Sequence, residues 1–451
     1  MVSKLVRDRR LVVVVPSCLV AAAHDDVDIF ALGRLFASRR ENLSSIASTF
    51  QKNGTRDKTY ILRAFPFFLV LHFLHKSLGC FLERACDRRE RRERERERTP
   101  LSRKRETAFA FRREEMKEFA VRTPDGVTLR CYDFNTTKNG VHEDGVLLLH
   151  CNGMNCLSYR ALIDHLTRRD ARVVTYDQRG HGKSRFRDDA TARVDDDDVD
   201  LSWKTFARDA ELVLESVIEK DRKEGCDANG TKKWHAVGHS LGGFASLWLE
   251  ATKPGTFQSI LAYEPIFALE RSTYPQMRAY AEPDGSLQAN ARKRKRTFKS
   301  FEEAFTSYRK GILGKVMDER SLRGYVYDGG FKKDSGGVVL TCDPEIEARI
   351  YENGEEDLNA LKFIEERIDT SNCPVTIAIG GATKKTYAYG VGKVVAERIR
   401  GARTLEFGLL GHFGPLSAPE AFGSAVEQKL LGIHPKYTGE GSCYGIERSR
   451  L

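Results

Sequence analysis

The ten cysteines of this 451-residue chain include no C-x-x-C pair, and no His/Cys cluster stands at metal-ligand spacing. That excludes the common structural zinc sites, implies no metal or organic cofactor, and suits a reduced compartment. Long apolar runs are also missing. Residues 11–23 (LVVVVPSCLVAAA) have the outline of a secretory signal peptide but are broken by Pro16, and residues 64–75 (AFPFFLVLHFLH) are cut by Pro66, His72 and His75. Neither reaches the roughly 20 residues of a spanning helix, so no membrane span is expected.

A third absence is a charge excess in the body of the chain. Of the formal net charge of +10, residues 1–115 hold all, with 25 Lys+Arg against 15 Asp+Glu, while residues 116–451 balance at 49 against 49. A neutral body gives no electrostatic footprint for nucleic acid. Residues 84–105 (RACDRRERRERERERTPLSRKR) are an Arg/Glu low-complexity tract, a solvated linker by composition. Met116-Lys117-Glu118-Phe119 follows and opens the first recognisable strand. Residues 1–115 are therefore expected to be a disordered, dispensable leader or an extension of the reading frame upstream of a working start at Met116.

What is present from there is an alternation of strands and helices, the pattern of an α/β fold with a mostly parallel sheet and helices on both faces. Val127–Phe134, Val146–His150, Arg172–Tyr176, Trp234–Val237, Ser259–Tyr263, Val375–Ile379 and Arg403–Phe407 read as strands. Leu157–Arg169, Trp203–Lys220 and the segment from Leu241 read as helices. Residues 267–371 are too long for a loop and carry helical stretches (Phe301–Lys310, Pro344–Tyr351, Leu358–Ile368), so they are expected to form an inserted helical cap over a core of residues 116–266 and 372–432. A polar, flexible tail covers 433–451.

Gly238-His239-Ser240-Leu241-Gly242 is a G-x-S-x-G between a strand and a helix. A nucleophile on such a turn is held in strained geometry, needs small neighbours, and presents its hydroxyl at a helix N-terminus, where the Leu241 N–H stands ready for an oxyanion. A serine hydroxyl needs a base, and His412 in Gly411-His412-Phe413-Gly414-Pro415 is the histidine placed in the turn after the last strand. The loop after the penultimate strand, Ala382-Thr383-Lys384-Lys385, offers no acid to orient it. Glu264, in Leu261-Ala262-Tyr263-Glu264-Pro265, ends the strand that follows the nucleophile helix and fills that role, whereas Asp369 precedes its strand and faces the wrong end. The second oxyanion donor is expected from His150-Cys151-Asn152-Gly153-Met154, with Asn152 the choice and Gly153 and Met154 open alternatives. Asp177-Gln178-Arg179-Gly180-His181-Gly182 reads as structural, Asp177 and Arg179 bracing the loops and His181 standing behind the site.

Taken in order, HCNGM, DQRGHGKS, GHSLGG, YEPI and GHFGPL resemble the α/β-hydrolase superfamily across residues 116–432. YEPI, GHFGPL and the cap segment LTCDPEIEARIY look more narrowly like a capped subgroup that includes peroxisomal fungal toxin-biosynthesis hydrolases. Some members of the superfamily carry their acid after the strand that follows the nucleophile helix, which supports Glu264; the aspartate nucleophile of dehalogenases and epoxide hydrolases is absent. HCNGM departs from the H-G of many relatives and leaves the oxyanion donor open. The resemblance implies an esterase-like serine hydrolase. The cap is rich in Phe267, Leu269, Tyr274, Phe305, Tyr308 and Leu313, which suggests an apolar acyl substrate, and its basic run 292–296 (RKRKR) reads as a solvated helix face in preference to a site for an acyl-CoA phosphate. Ser449-Arg450-Leu451 resembles the S-K-L peroxisomal address and would engage an import receptor. The rival readings are a ligand receptor of the same fold, and an acyltransferase or carbon-carbon bond hydrolase on the same triad.

Overall fold

Strands buried on both faces read as continuous apolar runs, and five such runs form the middle of the sheet. In the computed structural model the described residues are 116–134, 144–169, 171–184, 186, 199–226, 233–279, 286–355 and 357–432, together with the backbone of three strands within residues 4–22. The chain divides into units Met1–Phe109 and Ala110–Leu451. In the first, Lys4–Arg7, Arg10–Val15 and Cys18–Ala22 form an antiparallel three-stranded sheet. The Arg/Glu tract, the apolar run 64–75 and the tail with Ser449, Arg450 and Leu451 lie outside the described residues. Among the described residues no helix is long and apolar enough to cross a membrane.

The second unit is built on eight strands: β1 (Met116–Arg122), β2 (Thr128–Phe134), β3 (Asp144–Leu149), β4 (Arg172–Asp177), β5 (Lys233–His239), β6 (Ser259–Tyr263), β7 (Val375–Gly380) and β8 (Arg403–Phe407). Their order is β8-β7-β6-β5-β3-β4-β2-β1, with parallel pairing from β8 to β4 and β2 antiparallel to both its neighbours. Side chains alternate between faces with period two. Leu147, Leu149, Ala236, Ile260 and Ala262 thus join one apolar cluster, while Val146, Leu148, Val237, Leu261 and Tyr263 join the other. Helix α1 (Arg160–Thr167) covers one face after a short 3-10 turn at Cys156–Tyr159, where the sequence suggested one continuous helix. Helices α2 (Trp203–Lys223) and α3 (Leu241–Thr252) cover the other, α2 burying Phe206, Ala210, Val213 and Val217 at helical spacing.

Buried charges are paired. Arg172 spans Asp133 and Asp221, and Arg179 spans Asp209 and Asp125, while Asp177 accepts from the Cys156 and Lys183 amides at 3.0 and 2.8 Å. The glycine-rich turn after β4 is therefore a brace, since removing one partner would strand a buried charge.

Between β6 and β7 the chain is not purely helical as expected. Helices Phe301–Lys310, Glu319–Asp328 and Pro344–Glu355 accompany a three-stranded antiparallel sheet of Thr297–Phe298, Gly337–Leu340 and Phe331–Asp334. The hairpin turns at Asp334-Ser335-Gly336-Gly337, too short a signal to outweigh the flanking helical periodicity. Only Arg292 of the basic run lies in a helix (Leu287–Arg292); Arg292, Lys293, Lys295 and Arg296 are exposed as expected, while Arg294 turns inward, and Arg292, Arg294 and Arg296 pair with Glu345, Glu347 and Asp343. Phe267, Leu269, Tyr274 and Phe305 of this segment are buried in the two packed clusters, and Tyr308 and Leu313 pack against the second.

Candidate active site

Only two non-glycine residues among those described have positive φ: Ser240 at 54° and Glu264 at 39°. Such backbone costs about 1–3 kcal/mol and persists only where its surroundings impose it. For Ser240 the surroundings are glycines. A Cβ on Gly238 would sit 2.3 Å from the Gly242 carbonyl oxygen, and one on Gly242 would sit 2.2 Å from that of Leu149. The strand-to-helix turn closes because both positions are bare. Ser240 N donates to Tyr263 O at 2.9 Å and Ile266 N to Ser240 O at 3.3 Å, binding the turn to the end of β6 where Glu264 stands. Leu241 is the first residue of α3, so its N–H has no partner within the helix.

Glu264 is fully buried. One carboxylate oxygen lies 2.7 Å from His412 Nδ1; the other accepts from Gly380 N and Thr383 Oγ1, each at 2.8 Å. Burial pushes this carboxyl upward, but the hydrogen bond and charge of His412, with the Gly380 and Thr383 donors, outweigh it and hold the carboxyl below its ordinary value. An ionised acceptor at Nδ1 puts the ring proton there and leaves the Nε2 lone pair as a base. His412 is carried on the loop after β8, whose Gly411 carbonyl accepts from Tyr263 Oη at 2.6 Å and whose Leu410 carbonyl accepts from Ala382 N at 2.9 Å. Neither Ser240 Oγ nor His412 Nε2 has a hydrogen-bond partner among the described residues. The rings of His412 and His239, the residue before the serine, are 4.9 Å apart.

The loop after β3 lies beside this turn, because β3 and β5 are paired with Leu149 opposite Gly238. Cys151 N donates to Tyr159 Oη at 3.2 Å, Gly153 N to His181 Nε2 at 2.9 Å and Met154 N to Cys151 O at 3.3 Å. Of the alternatives left open by sequence, Gly153 and Met154 have committed amides. Of the three, only the Asn152 N–H makes no hydrogen bond among the described residues, while its side chain donates to the Glu347 carbonyl at 3.1 Å and places Oδ1 3.0 Å from His181 Nε2. Tyr159 Oη is hydrogen-bonded to His239 Nδ1 at 2.6 Å, and burial with the neighbouring His412 keeps His239 well below the ordinary histidine value.

The tertiary arrangement thus brings Ser240, Glu264, His412, Leu241 and Asn152 to one end of the sheet. Sequence reasoning missed Thr383, Tyr159 and His239. Thr383 sits in the very loop set aside for lacking an acid; a hydroxyl there carries no motif, and only the proximity of Glu264 reveals its use. Thr383→Val is expected to lower kcat about threefold to tenfold, the rate equivalent of roughly 1 kcal/mol from a lost bond to a charged acceptor. Thr383→Ser should retain the wild-type rate, and steady-state kinetics on an activated ester compare the two.

Residues 145–327 match a family model described as the alpha/beta hydrolase fold, a span from β3 into the segment between β6 and β7. The chain is similar in structure to the crystal structure of E-2-(acetamidomethylene)succinate hydrolase, with 17% identity, 70% of this chain and 100% of that one covered, and a TM-score of 0.50. It is also similar to the peroxisomal alpha-beta-hydrolase Lpx1 from Saccharomyces cerevisiae, with 16% identity, coverage of 73% and 92%, and a TM-score of 0.52. At such identity these neighbours establish the fold alone. No curated protein matches the sequence.

Proposed function

We propose that this chain, whose fold is that of the α/β hydrolases, is a serine hydrolase that cleaves an ester, thioester or lactone through a Ser240-His412-Glu264 triad. The observation that carries this reading is the 2.7 Å contact between His412 Nδ1 and a buried, ionised Glu264 beside a serine held at positive φ. His412 Nε2 removes the proton from Ser240 Oγ as that oxygen attacks the carbonyl carbon. The negative charge that forms on the carbonyl oxygen is met by the Leu241 and Asn152 amides. His412, now an imidazolium stabilised by Glu264, returns the proton to the leaving group, and water activated by the same ring cleaves the acyl-enzyme.

The segment between β6 and β7 is the cap, and the Asn152 side-chain bond to Glu347 of its helix Pro344–Glu355 supports that placement. A fluorophosphonate probe should label the wild type, and p-nitrophenyl esters of graded acyl length should be turned over many times per enzyme. Labelling without more than a single turnover on any of them would mark a ligand receptor instead. Residues 1–115 are proposed as a dispensable leader and 433–451 as a tail ending in an import signal at Ser449-Arg450-Leu451. A fluorescent fusion with a free C-terminus is expected to appear in puncta that coincide with a peroxisomal marker, and deleting Leu451 should disperse it; a diffuse signal from the intact fusion would refute the assignment.

A further inference from the structure

Both main-chain polar groups of Gly153, one residue past the uncommitted Asn152 amide, are held by side chains from different parts of the fold, one buried and one half-buried. Its N–H donates to His181 Nε2 at 2.9 Å, from the turn after β4, and its carbonyl accepts from Arg294 Nη1 at 3.4 Å, from the segment between β6 and β7. Gly153 has a φ of +75°, and a Cβ there would lie 2.6 Å from Glu347 Oε1; the conformation is reserved to glycine and the space around it is filled. The acceptor end depends on one protonation state. His181 Nδ1 is 3.0 Å from the Arg179 carbonyl, to which only an N–H can bond, and a neutral ring in that tautomer presents an Nε2 lone pair to Gly153 N–H; the same Nε2 lies 3.0 Å from Asn152 Oδ1, so the ring meets both residues of the loop. Burial, aided by the positive charge of Arg294, pushes the His181 pKa down to about 4, which keeps the ring neutral at pH 7. At the donor end Glu347 and Tyr325 fix the guanidinium.

We infer that His181 and Arg294 are positioning residues for the reaction at Ser240: together they clamp Gly153 and thereby aim the Asn152 amide at the developing oxyanion. The inference rests on the serine-hydrolase reading and adds two residues to it, neither of which touches the reacting atoms. It also gives the basic run a role, since Arg294 is the member that turns inward. Seating of the segment between β6 and β7 and alignment of the oxyanion donor then become one event.

The test uses the full chain and p-nitrophenyl butyrate, with rates expressed per active site titrated by a fluorophosphonate. His181→Ala should lower kcat per titrated site about 10-fold to 100-fold, the cost of a misaligned donor, with KM changed less than about threefold because the donor engages charge that exists only in the transition state. His181→Gln restores a neutral acceptor and should recover most of the rate, and Arg294→Met should depress kcat in the same sense. A structural role alone would reduce the titratable fraction and the melting temperature but leave the per-site kcat intact, and that result would overturn the inference. Should His181→Ala fail to fold, the 15N shifts of His181 in the wild type decide: protonated Nδ1 with bare Nε2 supports the clamp, the opposite tautomer refutes it. A wild type that is neither labelled nor active refutes the serine-hydrolase reading and the clamp with it, whereas a labelled wild type with an unaffected His181→Ala refutes the clamp alone.

Discussion

Ser240→Ala is expected to abolish fluorophosphonate labelling and to lower kcat on an activated ester by about 10,000-fold or more, leaving the fold in place. The size follows from covalent catalysis: without the hydroxyl no acyl-enzyme forms, and what remains is the background assistance of the oxyanion donors and of bound water. The fold should survive because Ser240 Oγ bonds to none of the described residues, so its loss leaves no group unpaired. Alanine must still take up the positive φ of 54°, so a small fall in melting temperature is expected. A variant with half the wild-type rate would assign the activity to another nucleophile. Labelling that persisted in Ser240→Ala would say the same by mass spectrometry of the modified peptide.

Glu264→Gln is the second large effect, an expected fall in kcat of about 1,000-fold to 10,000-fold. Glutamine is close in volume and keeps an oxygen for Gly380 N and Thr383 Oγ1, so the geometry of the pair is preserved. Its amide, however, presents an N–H to His412 Nδ1. That pins the imidazole in the tautomer whose Nε2 carries the proton, and the base is lost. The variant also reports on acid stability. The folded-state pKa of Glu264 lies below its unfolded value, so the ionised carboxylate contributes stability that is fully present above the ordinary glutamate range and is lost as the pH falls through the lower folded value. Glu264→Gln should therefore show a shallower decline of stability on acidification than the wild type, measured by urea unfolding across that window. A wild type and variant with parallel pH dependence would mean that the Glu264 carboxyl titrates alike in the folded and the unfolded chain.

The candidates Ser240 and His412, and the alternation of strands and helices around them, could be read from the chain because each answers a local demand. A strained turn needs Gly238 and Gly242, and a base in the last loop needs freedom at Gly411. Glu264 was reached by exclusion, through the missing acid after β7, and its buried bond to His412 explains why that loop can do without one. Thr383, Tyr159 and Arg294 were not legible. Each acts through one bond to a residue 119, 80 or 141 positions away, and a hydroxyl or a lysine-flanked arginine looks the same in a sequence whether it faces water or a partner.

The order of apolar runs and glycines along residues 116–432 already dictated an α/β fold and the strained turn at Ser240, because strand burial, helix periodicity and backbone strain are properties of neighbours in the chain. Which amide after β3 is left to act, which group seats the acid, and where the charges of the basic run go depend on contacts between remote segments. Hydrogen-bond partners are allotted only once the sheet has brought those segments together, and until then every donor and acceptor is satisfied equally well by water.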